Sequence, residues 1–91
     1  MTQGVELIAK IAVAPDLWAT AVLPEGLIEK WLFPDGTFVE AGDPVATVRI
    51  EDALHDLVAP ARGRLSIGLR TNSVIEPGMV IGNISRQQRE S

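Results

Sequence analysis

Apolar and polar residues alternate along much of this chain in short runs, with the period of two that is typical of half-buried β-strands. The alternation is strict from Val5 to Val13. Further apolar or alternating runs follow at residues 18–23, 26–33, 45–50, 54–58, 63–69 and 79–84. A helix over Val5–Val13 is the rival interpretation, but that segment lacks an N-cap residue and ends on β-branched side chains. We therefore predict about eight strands and no helix.

Turn signals separate these runs. Pro34-Asp35-Gly36 is a strong signal, because proline presets the first turn angle and glycine accepts a positive φ. Residues 41–44 and 76–78 provide two more turns, and a short acidic break after residue 50 makes residues 45–58 a hairpin. Many short strands joined by glycine and proline turns predict an all-β fold, either an antiparallel sandwich or a flattened barrel.

The chain also repeats itself. Gly26 to Leu32, followed by Val39 to Val45 and Val48, is echoed by residues 63–69, 75–81 and 84. The copies are offset by 37 residues at the glycine and by 36 afterwards, which predicts that the second turn has lost one residue. A repeat of this kind predicts two pseudo-symmetric halves that pack on each other. The match places Ile28, Lys30 and Leu32 inward, and it places Leu27, Glu29, Trp31 and Phe33 outward.

Composition narrows the picture further. Ninety-one residues make one domain, and 46% apolar residues provide a small but sufficient core. The chain has no cysteine, no apolar run long enough to span a bilayer and no basic signal segment, so we expect a cytoplasmic location without a membrane. A net charge of −4 with two lysines and six dispersed arginines makes nucleic acid an unfavourable partner.

Three segments are expected. Residues 1–13 form an N-terminal strand or arm, residues 14–85 form the domain, and the polar residues 86–91 form a disordered tail. Leu17, Phe33 and Phe38 are apolar positions that either make a dimer patch or cap the core, so the oligomeric state stays open.

Specific motifs then suggest a family. Residues 25–32 contain Lys30-Trp31, residues 36–46 contain Ala41-Gly42-Asp43-Pro44-Val45, and Val58-Ala59-Pro60 is followed by Gly63. This series resembles the lipoyl/biotinyl carrier domain, and the resemblance covers about residues 14–84. It implies a barrel-sandwich hybrid of two four-stranded antiparallel sheets related by a quasi-twofold axis. The same resemblance implies an exposed hairpin whose tip carries lipoate or biotin on a lysine.

This chain lacks that lysine. By the family spacing from Pro60, the attachment position is Asp52, within Ile50-Glu51-Asp52-Ala53, and no lysine follows Lys30. A carboxylate cannot form the amide that joins either cofactor to an amine, so we expect no cofactor at this position. The hairpin residues Glu51, Asp52, Ala53, His55 and Asp56 are instead the candidates for partner recognition. They are equally compatible with an ordinary solvated turn.

No catalytic or metal site is expected among these residues. His55 and Asp56 are neighbours on a strand and should point to opposite faces, and the chain has no second histidine. Three carboxylates without a glycine-centred loop are too few oxygen ligands for calcium.

Three functions are consistent with these residues. The first is a non-catalytic binding or accessory module, whose resemblance implies a protein partner such as a dehydrogenase or acyltransferase component or a biotin-dependent carboxylase. The second is a working carrier modified at another lysine, Lys10 or Lys30. The third is a barrel-sandwich adaptor or sensor unrelated to carriers.

Overall fold

Strands make up most of the structure, a computed structural model that describes residues 3–89. The eight strands are β1 (Gln3–Ala12), β2 (Gly26–Trp31), β3 (Phe38–Val39), β4 (Pro44–Ile50), β5 (Ala53–Val58), β6 (Gly63–Ile67), β7 (Val74–Ile75) and β8 (Val80–Arg89). The one helical element in the described residues is a 3₁₀ turn, Pro15–Trp18. The predicted all-β class is therefore confirmed. No helix in this part of the chain is long and apolar enough to cross a membrane.

The strands form two antiparallel sheets of four. Their orders are β1-β8-β6-β3 and β5-β4-β2-β7. Each sheet therefore has a two-residue strand from the other half of the chain at one edge: β3 beside β6 in the first sheet, and β7 beside β2 in the second. The result is the flattened barrel-sandwich that the sequence predicts.

The core lies between the two sheets and is apolar. Its fully buried side chains are Val13, Ile28, Val39, Val45, Val48, Leu65, Ile75, Ile81 and Ile84. Burial of each such side chain stabilises the fold by roughly 1.5–3 kcal/mol. Thr47 is the one buried polar side chain in the described residues, and its hydroxyl group donates a hydrogen bond to Asp56 at 3.0 Å.

The two halves are related residue by residue. Gly26 in β2 pairs with Ile75 in β7, and Gly63 in β6 pairs with Val39 in β3. The central pairs match in the same way, since Ile28 lies opposite Val48 and Leu65 lies opposite Ile84. Loop hydrogen bonds follow the same rule: the Gly42 amide donates to Ala59 and the Gly78 amide to Val13, both at 2.8 Å. The pseudo-twofold axis predicted from the repeat therefore relates the hydrogen bonds as well as the sequences.

The extra residue of the first copy lies in β2 and not in a turn. Ile28 pairs with Val48 and Lys30 pairs with Thr47, so Glu29 forms a β-bulge. Strand β6 has no such shift, because Leu65 and Ser66 pair with consecutive residues of β8. The offset between the copies therefore changes from 37 to 36 at Glu29, and the prediction of a shortened second turn is wrong.

This bulge reverses the predicted facing of the residues after it. Lys30 and Leu32 are exposed, whereas Trp31 and Phe33 pack against the core. The Trp31 indole N–H donates a hydrogen bond to the Leu69 carbonyl oxygen at 2.8 Å. The predictions of an inward Lys30 and an outward Trp31 are thus wrong, because a bulge inserts one residue into a period of two.

The two ends of the described chain pair with each other. β1 is an edge strand of the first sheet and pairs with β8 along its length, which is the strand alternative predicted for the N-terminal segment. β8 continues to Arg89, so residues 86–89 are paired where a disordered tail was predicted. Residues 90 and 91 lie outside the described residues. The apolar stretch 18–23 is a loop and not a strand.

Candidate functional site: the β4–β5 hairpin

The hairpin turn consists of two residues, Glu51 and Asp52. Ile50 at the end of β4 pairs with Ala53 at the start of β5, so only these two acidic residues lie between the strands. Glu51 has a φ of 55°, a left-handed conformation that two-residue hairpins normally assign to glycine, asparagine or aspartate. Both acidic side chains are exposed. The structure therefore places Asp52 in the exposed tip of a tight hairpin, as the sequence predicts.

A hydrogen bond joins this tip to the loop that follows β1. The Glu51 carboxylate accepts the backbone N–H of Val22 at 2.7 Å. The same loop is anchored by Trp18, which is buried in the core and whose indole N–H donates to the Glu25 carbonyl oxygen at 3.3 Å. Loop and hairpin therefore form a joint surface.

A groove of about 340 Å³ separates the loop from the hairpin. Its lining residues are Leu17, Thr20, Ala21, Ile50, Glu51, Asp52, Ala53 and His55. The apolar wall comes from the loop and the strand ends, and the acidic wall comes from the turn. Val22 and Leu23, which follow Ala21 in the same loop, are exposed by 86% and 59%.

The five hairpin residues predicted from the sequence do not share one face. Glu51, Asp52, Ala53 and His55 line the groove, whereas the Asp56 carboxylate accepts the Thr47 hydroxyl group on the other side of the strand. Sequence reasoning missed the loop residues Thr20 and Ala21, and it gave Leu17 only as part of a dimer patch or a core cap. Their signal was the apolar stretch after Pro15, whose position beside the hairpin depends on the tertiary fold.

An ion pair flanks the hairpin on its outer face. Nε of Arg49 lies 3.0 Å from a carboxylate oxygen of Glu29, the bulge residue of β2. The hydrogen bond from Arg49 and the charge of its guanidinium lower the pKa of Glu29, and the same contact raises the pKa of Arg49. Asp52 adds a smaller attraction that also raises the pKa of Arg49. Arg49, which precedes the acidic tip in the chain, is therefore paired with Glu29.

The hairpin offers neither a metal site nor an amine for acylation. Within residues 3–89, no group of three histidine, cysteine, aspartate or glutamate side chains is arranged to hold a metal ion. The two lysines of the sequence lie elsewhere: Lys10 in β1 pairs with Asn83, and Lys30 in β2 pairs with Thr47. Both lie within strands, whereas the hairpin turn carries only carboxylates.

Comparison with known proteins gives limited support for a family. No family model matches the sequence. Over 66 residues, or 72% of the chain, the sequence is 29% identical to acetyl-CoA carboxylase from Dictyostelium discoideum. The chain spans about 3% of the length of that protein. This similarity is compatible with a biotinyl-like carrier region, and it agrees with the barrel-sandwich fold.

Proposed function

We propose that this chain is a biotinyl/lipoyl-like module that binds a protein partner and carries no cofactor on its hairpin. The observation behind the proposal is the residue at the hairpin tip. The scaffold is complete, with eight strands and a two-residue turn, but the turn presents the carboxylates of Glu51 and Asp52 where a carrier requires an amine. The module then acts by binding and not by chemistry, as an accessory to a multienzyme complex.

The surface around the tip favours a partner that is basic and partly apolar. Glu51 and Asp52 provide negative charge, and exposed Val22, Leu23 and Leu54 provide apolar area beside them. Opposite charge steers association, while apolar contact supplies affinity. The similarity to an acetyl-CoA carboxylase supports a biotin-dependent carboxylase as the partner class, and dehydrogenase or acyltransferase components remain the second class.

The replacement Asp52→Lys tests the position of the tip. Each variant is coexpressed with a biotin ligase or with a lipoate ligase, and its intact mass is then measured. We expect the native chain to stay unmodified and Asp52→Lys to gain one acyl group. Glu51 precedes the new lysine as an acidic residue does in the lipoyl pattern, so we expect lipoate to be the better cofactor.

Lys10 and Lys30 provide the controls. A cofactor mass on the native chain that disappears in Lys10→Arg or Lys30→Arg would contradict the proposal, because the module would then be a working carrier. Ala53→Lys, which moves the amine by one residue, is the matched control for position. Equal modification of Asp52→Lys and Ala53→Lys would show that the register of the tip is not specific.

Partner binding is tested with the acidic residues themselves. Purified carboxylase or dehydrogenase components are titrated against the native chain and against Glu51→Gln/Asp52→Asn. We expect at least about a tenfold loss of affinity in the double variant at low salt, and a smaller difference at high salt. Binding that is unchanged by this double substitution would remove the hairpin from the interface.

A further inference from the structure

Comparison of equivalent positions in the two pseudo-symmetric halves shows which residues the fold requires. Positions that the fold requires have the same character in both halves, such as Gly26 and Gly63 or Val39 and Ile75. At exposed positions, a difference in chemistry between the halves marks a residue whose identity the common scaffold leaves open. One such difference on the surface is Phe38, whose counterpart in the other half is Val74.

These differences concentrate positive charge at one place. The counterparts of Glu25 and Leu27 are Arg62 and Arg64, and the counterpart of Ile50 is Arg86. Three of the six arginines therefore lie around Phe38, in a chain whose net charge is −4. We call Ile8, Phe38, Arg62, Arg64 and Arg86 the arginine–phenylalanine surface.

This surface contains a groove of about 370 Å³. Ile8, Phe38, Arg62, Gly63 and Arg86 line it. Phe38 is 53% exposed, and the Arg62 guanidinium carbon lies 5.4 Å from the centre of its ring. An apolar floor with two guanidinium groups at its edge suits a ligand that carries both an apolar group and carboxylates.

The arginines have partners, but these are easily exchanged. Nε of Arg62 lies 3.6 Å from Glu40, with both side chains at least 60% exposed. Nε of Arg86 lies 2.9 Å from Glu6, and Arg64 donates to the Gly36 carbonyl oxygen at 2.8 Å. Exposed ion pairs of this kind add little stability, so a carboxylate from a ligand can replace Glu40 or Glu6 at small cost.

We propose that the arginine–phenylalanine surface docks an acidic peptide segment of a partner protein, with one apolar side chain against Phe38 and Ile8. Charge complementarity selects the acidic segment, and the exposed aromatic ring selects its apolar residue. This proposal does not depend on the function proposed for the hairpin, which lies in the other sheet. Together the two surfaces make the molecule a two-ended adaptor.

Nuclear magnetic resonance of the ¹⁵N-labelled full chain tests this proposal. The probe is a seven-residue capped peptide with one leucine and one phenylalanine among five glutamates. We expect saturable shifts of the amide signals of Phe38, Arg62, Gly63 and Arg86. A peptide of seven glutamates should bind at least about fivefold more weakly, because it leaves Phe38 and Ile8 uncovered.

Variants use the residues of the opposite half, which the scaffold already accepts. Phe38→Val should weaken binding at least about fivefold and Arg62→Glu at least about tenfold. Val74→Ala and Glu25→Gln, at the counterpart positions, should leave the affinity within about twofold. If Phe38→Val does not fold, Arg62→Glu gives the decisive comparison.

Four results would overturn the proposal. Two concern the native chain with the mixed peptide: no saturable shifts of the amide signals, or shifts centred on the hairpin. The other two are equal affinity for the all-glutamate and the mixed peptide, and an affinity of Arg62→Glu for the mixed peptide that equals that of the native chain. A fifth is self-association. If sedimentation velocity shows that the chain alone forms dimers through Phe38 and Arg62, the occupant is a second copy and not an acidic peptide.

Discussion

At the scale of the residue, the space between neighbouring backbones decides whether a position can accept a side chain. A Cβ atom added at Gly63 would lie 2.7 Å from the Ser85 carbonyl oxygen, and the φ of Gly63 is 154°. A Cβ atom at its counterpart Gly26 would lie 2.7 Å from the Arg49 carbonyl oxygen. Both glycines are therefore needed because the neighbouring strand approaches closely. This explains why they were the clearest marks of the repeat.

Gly63→Ala should destabilise the fold. The added methyl group must displace backbone of β8, and the φ of residue 63 disfavours an L side chain, so we expect a loss of at least about 2 kcal/mol. Urea unfolding followed by tryptophan fluorescence measures this change. Gly4→Ala is the control, since a Cβ atom there has no neighbour within 4 Å; its effect should stay within about 0.5 kcal/mol. Equal losses in both variants would refute the steric argument.

The Glu29–Arg49 pair predicts a small pH dependence. The pKa of Glu29 is lowered in the folded state, chiefly by the hydrogen bond from Arg49. Its contribution to stability is therefore present above the pKa of the unfolded chain and is lost as the pH falls through the lower folded pKa. The urea midpoint of the native chain should exceed that of Glu29→Gln at pH 7, and the difference should shrink as the pH falls through the lowered pKa of Glu29.

Arg49→Gln completes a double-mutant cycle for the Glu29–Arg49 pair. Because the pKa of Glu29 is lowered mainly by Arg49, the substitution Glu29→Gln should have almost no pH-dependent effect in the Arg49→Gln background. A pH-dependent difference that persists without Arg49 would assign it to another group.

At the scale of the element, the bulge in β2 determines which residues the strand buries. Glu29 is the inserted residue, and it turns Trp31 and Phe33 towards the core. The counterparts of these two residues in the second half are Ile67 and Leu69, which also pack against the core. The bulge thus restores the symmetry of the apolar contacts while breaking the symmetry of the strand.

Trp31→Phe tests the role of the inward tryptophan. The substitution keeps an aromatic ring but removes the indole N–H that donates to the Leu69 carbonyl oxygen. We expect a loss of roughly 1–2 kcal/mol in the free energy of unfolding, from the lost hydrogen bond and the smaller ring. Lys30→Ala, on the exposed neighbour, should change stability by less than about 0.5 kcal/mol. A larger loss for Lys30→Ala than for Trp31→Phe would instead favour a strand without the bulge, in which Lys30 faces inward and Trp31 outward.

The hydrogen bond between the Val22 amide and the Glu51 carboxylate joins the loop to the hairpin. Glu51→Ala removes the carboxylate that accepts the Val22 amide, so the exchange of that amide with solvent should accelerate at least about fivefold. Hydrogen exchange monitored by nuclear magnetic resonance measures the rate. Asp52→Ala is the matched control at the adjacent turn position and should leave the Val22 amide unchanged. Similar acceleration by both variants would mean that the tip as a whole, and not this bond, holds the loop.

At the scale of the whole molecule, one core holds two sheets together. Ile28 in one sheet and Leu65 in the other are pseudo-symmetric, and both are almost fully buried. The two faces that the sheets turn to solvent have diverged, with acidic residues around the hairpin and arginines around Phe38. The core is therefore pseudo-symmetric, whereas the distribution of charge on the surface is not.

Ile28→Ala and Leu65→Ala should each cost about 2–5 kcal/mol, because each removes buried methyl groups from the same core. Both variants should keep a single cooperative unfolding transition by calorimetry. Leu54→Ala is the control, since this leucine is 54% exposed. Two separate transitions, or a loss confined to one of the core variants, would show that the halves do not share one core.

The sequence by itself determined the fold class, the pseudo-symmetry and the position of the hairpin tip. Gly26 and Gly63, the alternating apolar residues and the turn signals are local patterns, and each local pattern agrees with the final architecture. The residue at the tip, Asp52, follows from the spacing that the resemblance to the carrier domain implies.

Only the tertiary structure decided the rest. Periodicity cannot reveal that Glu29 forms a bulge, because a bulge depends on the partner strand β4. It also cannot reveal that the loop of Val22 binds Glu51, or that Phe38, Arg62 and Arg86 surround one groove, since these residues are distant in sequence and come together only in the folded chain. Strand character follows from neighbours in sequence, whereas surfaces and sites follow from neighbours in space.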